Sequence, residues 1–400
     1  MRKLACLLLL VPVLFVSVQA QKVEKEVEKE FPASNPKATL PDKQPEKGPG
    51  GSDYAHKKVE VIERGEGGKK YWLYTPAEPA PEHAPVVAFI HGYGAFTPEG
   101  YAEWLHHICK RGSIVIYPQY QEHRLEPPAN YAPNSAHAIN DAIEYLKEDK
   151  KRVQPLTDKF AITGHSAGGA TTANLAADWE ALKIPRPRAA MPVQPGRAFS
   201  YESKVQANNG LIPHSDYSQI PEDCLLLSVY GDSDLTVGAY CARKYFADAS
   251  KVKPENKNLV EFRSCDYCAT PLIAGHYTPA APEGTADAWD WYGYWKLFDG
   301  LTDAAFHGKH REYALGDTPQ QRFMGRYSDG RPVCELLVYK GDAKIDPDAE
   351  YLPVFDRSGK RVRKTEEKKD DANERRETPR ETPRRKEDNK EEKKKDEEEF

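Results

Sequence analysis

A serine set between glycines is the strongest candidate for chemistry in the sequence. Ser166 lies in the run Gly164-His165-Ser166-Ala167-Gly168, which matches the pattern G-x-S-x-G. An apolar strand pattern precedes this run and an Ala-rich helix pattern follows it, which is the setting that the pattern requires. Small residues permit a sharp turn from strand to helix that exposes the serine hydroxyl beside the positive end of the helix. We therefore expect Ser166 to act as a nucleophile.

A second glycine-containing loop has the position of an oxyanion-binding loop. The loop 91–95, HGYGA, follows an apolar strand pattern that ends at Ile90. In enzymes with such a nucleophile turn, one amide of this loop and the amide after the nucleophile bind the oxyanion. We expect those amides to belong to Tyr93 and Ala167, each worth about 10²–10³ in rate. We expect His91 to brace its own loop and to take no part in catalysis.

A serine nucleophile needs a histidine base and an acid that orients it, and this type of turn places them in the chain order Ser, acid, His. The predicted strand 224–230 leads into Asp232 and Asp234, on the same rim of the sheet as Ser166. We expect Asp234 to be the acid, because Asp232 is typical of a turn residue that bonds local amides. His276 lies in a turn after a further strand and is the expected base.

Four motifs together make the chain resemble a known family. They are HGYGA at 91–95, GHSAGG at 164–169, GDSDLTV at 231–237 and AGHYTP at 274–279. Over about 59 to 300, the chain resembles the α/β-hydrolase esterases, in the branch that includes bacterial cutinases and polyester hydrolases, chlorophyllases and dienelactone-hydrolase-like enzymes. The resemblance implies an α/β-hydrolase fold and ester hydrolysis through an acyl-enzyme, with no cofactor and no metal. Its G-x-x-D-x-x-V pattern also places the acid at Asp234.

The chain departs from the cutinase-like pattern beside the nucleophile. Relatives of that kind often carry an aromatic residue before the serine and Met after it, where this chain has His165 and Ala167. The departure weighs against polymer binding. The insertion 196–223 is longer than a minimal connection, and the sequence leaves open whether it forms a substrate wall or a surface loop.

Apolar runs and amphipathic stretches alternate through the middle of the chain. Continuous apolar runs such as 85–90 are typical of strands buried on both faces. The predicted strands are 59–62, 71–74, 85–90, 113–117, 160–163, 189–193, 224–230 and 259–262. The predicted helices are 98–111, 136–150, 167–180, 239–249 and 288–298. This alternation predicts a mainly parallel central sheet with helices on both faces, in one domain.

The two ends of the chain differ in composition from the middle. Residues 1–20 have a basic start and a short apolar run, so we expect a cleaved secretory signal peptide, with an uncleaved membrane anchor as the alternative. Rich in Lys, Glu and Pro, 21–52 is expected to be a disordered linker and 346–400 a disordered charged tail, around a catalytic domain at 53–345. We therefore expect a secreted or cell-envelope protein, with attachment of the tail to a cell wall or polymer as a further hypothesis.

Export implies an oxidising compartment, in which cysteines can pair. Six of the seven cysteines follow the predicted signal peptide, and no second pair accompanies Cys265 and Cys268 as a zinc site would require. We expect at least one of these two to be oxidised. The partner stays open: Cys241, a bridge between the two themselves, or no bridge and buried thiols.

Two other functions compete with ester hydrolysis. A peptidase of the same fold usually carries a propeller or large cap, and no repeat of that kind is present. A non-catalytic envelope-bound binding protein would not need a complete triad. The net charge of −5 indicates no nucleic-acid partner, and no Rossmann or P-loop pattern indicates a nucleotide cofactor. We expect a monomer that acts on a small-molecule or polymeric ester and has no membrane segment after signal cleavage.

Overall fold

The computed structural model describes residues 35–363 of the chain. The predicted signal peptide and the part of the predicted tail after residue 363 lie outside the described residues. Within 35–363, no helix has the length and apolar character to cross a membrane.

A nine-stranded sheet forms the centre of the described chain. Its strands are β1 (Lys58–Arg64), β2 (Tyr71–Ala77), β3 (His83–Ile90), β4 (Ile114–Pro118), β5 (Gln154–His165), β6 (Pro187–Val193), β7 (Leu225–Gly231), β8 (Lys257–Phe262) and β9 (Leu337–Lys340). The spatial order is β1-β2-β4-β3-β5-β6-β7-β8-β9. Strands β3 to β8 pair in parallel, whereas β1, β2 and β9 pair antiparallel. The sheet is therefore mainly parallel, as the alternating pattern predicted.

Helices cover both faces of this sheet. They are α1 (Ala102–Lys110), α2 (Tyr131–Glu148), α3 (Ala167–Ala177), α4 (Ser203–Asn208), α5 (Tyr240–Asp248), α6 (Trp295–His307) and α7 (Pro319–Arg322). Side chains of β3 alternate between two cores: Val87 and Phe89 pack with α1 and α6, and Ile90 packs with α2 and α3. A strand buried on both faces cannot alternate apolar with polar residues, which explains its continuous apolar run.

The last predicted helix is longer than expected. It continues through a π-helical segment, Asp290–Tyr294, into α6, and ends at Gly308, which has a φ of 67°. Beyond residue 298 the helix continues through Asp299 and Gly300, two residue types with low helix propensity. In the structure, the buried carboxylate of Asp299 accepts from His107 Nε2 at 2.9 Å and pairs with Arg111 at 3.1 Å, so it is compatible with the helix interior.

The predicted linker 21–52 is wrong for residues 35–52, which pack against the domain predicted at 53–345. The Asn35 amide donates to the Tyr267 carbonyl at 2.8 Å, and the Gly50 amide donates to Asp299 Oδ2 at 2.7 Å. The segment is ordered by hydrogen bonds to groups more than 200 positions away. Its own sequence has no apolar periodicity, so these contacts could not be predicted from it.

The predicted boundary at residue 345 is also wrong, because residues 346–363 continue the folded domain. Tyr351, Val354 and Phe355 are buried and belong to the short apolar run YLPVF at 351–355, which charged segments flank on both sides. Strand β9 was not predicted either. It is four residues long and lies at the edge of the sheet beside β8, where only Val338 is buried.

A disulfide joins Cys265 to Cys334. The expectation that Cys265 or Cys268 is oxidised is therefore confirmed. Of the partners considered, none is correct: the partner lies 69 residues further along the chain, while Cys241 and Cys268 are buried thiols.

Candidate active site

Ser166 occupies a strained turn between β5 and α3. Its backbone has φ 60° and ψ −122°, a region that residues other than glycine rarely adopt. A Cβ atom at Gly164 would lie 2.5 Å from the Ile90 carbonyl oxygen, and one at Gly168 would lie 2.1 Å from it. Both glycines of the motif are therefore required by the close approach of β3 to the turn.

The three side chains predicted to act together form one hydrogen-bonded chain. His276 Nε2 lies 2.9 Å from Ser166 Oγ, and His276 Nδ1 lies 2.8 Å from Asp234 Oδ2. The second carboxylate oxygen of Asp234 accepts from the amides of Thr236 at 2.9 Å and Val237 at 3.0 Å. An ionised carboxylate only accepts, so Nδ1 carries the proton and Nε2 is left to accept from the serine hydroxyl.

Asp232 makes no contact of this kind with His276. Its carboxylate accepts from the Ser264 amide at 2.8 Å, from the Ser233 hydroxyl at 2.8 Å and from the Ser264 hydroxyl. Complete burial raises the pKa of Asp232 to about 6, against the effect of these donors. These donors belong to Ser264, 32 positions away, and to the hydroxyl of Ser233, and not to amides of the turn. The expectation that Asp232 bonds local amides is therefore wrong, and the residue joins its loop to the segment that follows β8.

A second histidine lies directly behind the pair of Ser166 and His276. His165 Nε2 is 2.8 Å from the His276 carbonyl oxygen, which can only accept, so this nitrogen donates. His165 Nδ1 must then accept from the Tyr101 hydroxyl at 2.8 Å, and the Tyr101 oxygen accepts from the Gly92 amide at 3.1 Å. Burial holds the pKa of His165 well below its ordinary value. A neutral His165 thus connects the nucleophile turn (residues 164–168), the histidine loop (residues 274–279) and loop 91–95.

Loop 91–95 is fixed around its central residue. The amides on either side of Tyr93 are occupied, since Gly92 donates to Tyr101 and Gly94 donates to Gln121 Oε1 at 3.0 Å. His91 Nδ1 lies 2.7 Å from the Gly92 carbonyl oxygen, and burial lowers the pKa of His91 to about 4. The His91 ring is therefore neutral and bonds within its own loop.

Ser166 opens into an apolar cavity of about 360 Å³. This volume lies in the range of small-molecule sites. The cavity is lined by residues of loop 91–95, the segment 124–131, the nucleophile turn, the acid loop and the insertion 196–223: Tyr93, Arg124, Leu125, Glu126, Pro128, Tyr131, Ser166, Ala167, Gly196, Arg197, Ala198, Phe199, Asn209, Leu211, Ile212 and Val237. Tyr93 and Ala167, the predicted oxyanion residues, thus lie beside the serine.

The insertion 196–223 forms one wall of this cavity, which answers the question that the sequence left open. Phe199 and Leu211 lie at its mouth and are 68% and 70% exposed. The guanidinium of Arg197 holds the insertion together, donating to carbonyl oxygens that include those of Gln206 at 2.9 Å and Gly210 at 3.1 Å. The sequence offered no signal for Phe199 and Leu211, because their place depends on this folding of the insertion around an arginine.

The geometry can be compared with known proteins at this point. A chlorophyllase family model matches residues 50–206. No curated protein matches the chain. The matched stretch covers less than half of the chain, and it contains loop 91–95 and the Ser166 turn but ends before Asp234 and His276. Together with the mainly parallel sheet, the match shows that the chain has the α/β-hydrolase fold and is similar to the chlorophyllase branch.

The chlorophyllase match indicates a hydrolase that acts on esters. It assigns no role to Asp234 or His276, since both lie beyond residue 206. Within residues 35–363, no group of three or more His, Cys, Asp or Glu side chains is arranged to hold a metal ion. The chemistry of the site therefore has to be argued from the side chains around Ser166.

Proposed function

We propose that this protein is a secreted serine hydrolase that cleaves carboxylic esters through an acyl-enzyme, with a Ser166–His276–Asp234 triad. The observation that carries the proposal is the hydrogen-bonded chain from Ser166 Oγ through His276 to Asp234, at distances of 2.9 and 2.8 Å, beside an apolar cavity. The chlorophyllase match supports ester chemistry. The Cys265–Cys334 disulfide supports an oxidising compartment, as secretion requires.

In this mechanism the Ser166 hydroxyl attacks the ester carbonyl while His276 Nε2 takes its proton. Asp234 holds the ring in the required tautomer and stabilises the imidazolium. The backbone amides of Tyr93 and Ala167 bind the oxyanion. His276 then donates its proton to the leaving alcohol, and a water molecule, deprotonated by His276, releases the acid from Ser166. Every proton moves through His276, so the steps need no cofactor.

The cavity supports an ester with an apolar group of moderate size. Its lining is mainly apolar, and its mouth carries exposed Leu125, Phe199 and Leu211. Exposed apolar side chains around a site favour contact with an apolar ligand or surface. The proposal accommodates a small-molecule ester within the cavity or a chain that extends across its mouth.

The proposal is tested by labelling and turnover together. We expect a fluorophosphonate probe to label Ser166 covalently and chromogenic esters of increasing acyl length to be hydrolysed. Ser166→Ala should abolish labelling and lower kcat at least about 10⁴-fold, because the nucleophile is absent.

Ser228→Ala is the matched control. Ser228 is buried like Ser166, but its hydroxyl bonds to the Ala242 carbonyl at 2.9 Å and takes no part in the site. This variant should keep both labelling and turnover. Turnover of esters by Ser166→Ala at the wild-type rate would refute the proposal, as would a wild-type protein that neither reacts with the probe nor cleaves any ester.

A further inference from the structure

The last described residues form a small hairpin that packs on the acid loop. We call residues 351–363 the C-terminal hairpin. The Val362 amide donates to the Val354 carbonyl at 2.8 Å, and Phe355 and Arg361 pair across the hairpin. Tyr351 and Phe355 are buried, so the hairpin is part of the folded domain rather than a loose tail.

The Tyr351 hydroxyl lies inside the acid loop itself. It donates to the Gly231 carbonyl oxygen at 2.6 Å and accepts from the Asp234 amide at 2.6 Å, although Tyr351 follows Asp234 by 117 residues. Without this hydroxyl, the Asp234 amide faces only the Gly231 carbonyl at 3.4 Å, which is long for a turn hydrogen bond. The tyrosine therefore inserts between the two ends of the turn that carries the acid.

The hairpin also forms hydrogen bonds with Asp232 and Ser233, the two residues between Gly231 and Asp234. The Val354 amide donates to the Asp232 carbonyl at 3.0 Å, and the Phe355 amide donates to Ser233 Oγ at 3.1 Å. Each of the four residues 231–234 thus makes one hydrogen bond with the C-terminal hairpin. These four hydrogen bonds together fix the position of residues 231–234 as a unit, and not that of a single atom.

The other side of the hairpin is anchored near the histidine loop. Arg361 forms an ion pair with Asp266, in which Nη1 donates to both carboxylate oxygens, at 2.9 and 2.8 Å. Asp266 follows the disulfide residue Cys265, in the segment that leads to His276. Because the Ser233 amide also donates to the Ala274 carbonyl at 3.2 Å, hairpin, acid loop and histidine loop form one connected unit.

We propose that the C-terminal hairpin, through the Tyr351 hydroxyl, positions Asp234 against His276 and so sets the rate of the serine reaction. The inference rests on the proposed function of the triad. Tyr351 is a positioning residue, since it does not line the cavity and acts through the backbone of Asp234. A small shift of that backbone changes the contact between Asp234 and His276, and misplacement of catalytic groups is costly in rate.

The test compares Tyr351→Phe with Tyr71→Phe in the full chain. Tyr71 is a matched control: its buried hydroxyl also donates once, to Asp141 at 2.6 Å, and accepts once, from Arg64 at 3.0 Å, on the distant strand β2. We expect Tyr351→Phe to lower kcat about five- to tenfold with KM changed less than twofold. The low-pH limb of kcat/KM should move to lower pH, because a displaced Asp234 stabilises the imidazolium less. Tyr71→Phe should change thermal stability alone.

Titration with a fluorophosphonate probe counts the intact sites in each preparation, so that unfolded protein is not mistaken for slow protein. Equal kcat per titrated site and an unmoved pH profile in Tyr351→Phe would overturn the inference. If Tyr351→Phe does not fold, Arg361→Gln replaces it, since this change loosens the hairpin from its outer side. It should lower kcat per site two- to threefold and move the same limb, and wild-type kcat per site would overturn the inference. A wild-type protein without probe labelling or ester turnover would instead refute the proposed function.

Discussion

The two halves of the candidate site are held in place by different kinds of contact. The backbone of Ser166 is held by residues nearer in the sequence: its amide donates to the Val193 carbonyl at 3.0 Å, and its carbonyl accepts from the Gly196 amide at 3.1 Å. Around Asp234 and His276 the contacts come from far along the chain, through the disulfide and the C-terminal hairpin.

The turn at Ser166 and the loops that carry Asp234 and His276 therefore differ in how their positions are specified. A nucleophile turn is specified by consecutive residues and by the approach of one strand, so it tolerates almost no substitution at Gly164 or Gly168. The acid and histidine loops are specified by distant segments. Changes in those segments can therefore alter the proposed proton transfer through His276 while the turn at Ser166 stays intact.

The sharpest way to break this comparison is to remove the charge of each carboxylate in the acid loop. Asp234→Asn should lower kcat about 10⁴-fold, because the amide can no longer hold His276 in the required tautomer. Asp232→Asn should lower kcat less than tenfold, since Asp232 contacts Ser264 and Ser233 and not the histidine.

Steady-state kinetics on a short chromogenic ester, normalised to titrated sites, measures both effects. The two variants are matched, because each replaces one fully buried carboxylate of the same loop. A larger loss in Asp232→Asn would show that the acid has been assigned to the wrong residue.

Most of the sheet could be predicted from the sequence, and so could the three side chains that meet in the candidate site, for a physical reason. Parallel strands covered by helices on both faces are mostly apolar along their whole length, so the run 85–90 stands out, as does 225–230, in which Ser228 is the one polar residue. The turn at Ser166 demands glycine where β3 passes within contact, so its motif is recognisable. Chain order then selected Asp234 and His276, whose side chains lie within 2.9 Å of their partners.

The contacts that position those two residues could not be predicted in the same way. Cys334 carries no local sign of its partner, because pairing is decided by the path of the chain between them. Tyr351 begins the short apolar run YLPVF at 351–355, but nothing in that run indicates that its hydroxyl bonds to a turn 117 residues earlier. Residues 35–52 and β9 are likewise ordered by partners distant in the sequence. Local periodicity contains no information about contacts of this kind.

Removing the disulfide tests how far the acid and histidine loops depend on a covalent brace. Cys334→Ser should lower the free energy of unfolding by about 2–4 kcal/mol, because the unfolded chain regains the freedom of the closed loop. Turnover at 25 °C should fall less than threefold, because two other contacts remain. These are the hydrogen bond between Tyr351 and the Asp234 amide and the hydrogen bond between the Ser233 amide and the Ala274 carbonyl.

Cys268→Ser is the control for this variant. Cys268 is a buried thiol in the same segment, and its sulfur donates to the Thr270 carbonyl at 3.0 Å, a contact that serine can replace. Urea unfolding of both variants gives the comparison. An equal loss of stability in the two would mean that the bridge adds nothing beyond local packing.

The smallest expected effect is a pH dependence of stability that arises from Asp232 alone. Burial raises its pKa to about 6, whereas an aspartate in the unfolded chain titrates near 3.9. Between these values the folded protein retains a proton that the unfolded chain has lost. The contribution of Asp232 to stability is therefore fully present below about pH 4 and is lost as the pH rises through 6, by about 3 kcal/mol in total.

Asp232→Asn stays uncharged at every pH, so it removes this dependence and keeps the shape of the side chain. Subtracting the unfolding free energies of the variant and the wild type, by urea titration from pH 4 to 7, cancels the other titrating groups. The variant should gain stability relative to the wild type as the pH rises, by about 2 kcal/mol across this range. A constant difference would show that the hydrogen bonds from Ser264 and Ser233 fully offset the effect of burial on the pKa of Asp232. Ionisation of Asp232 would then leave the free energy of unfolding unchanged.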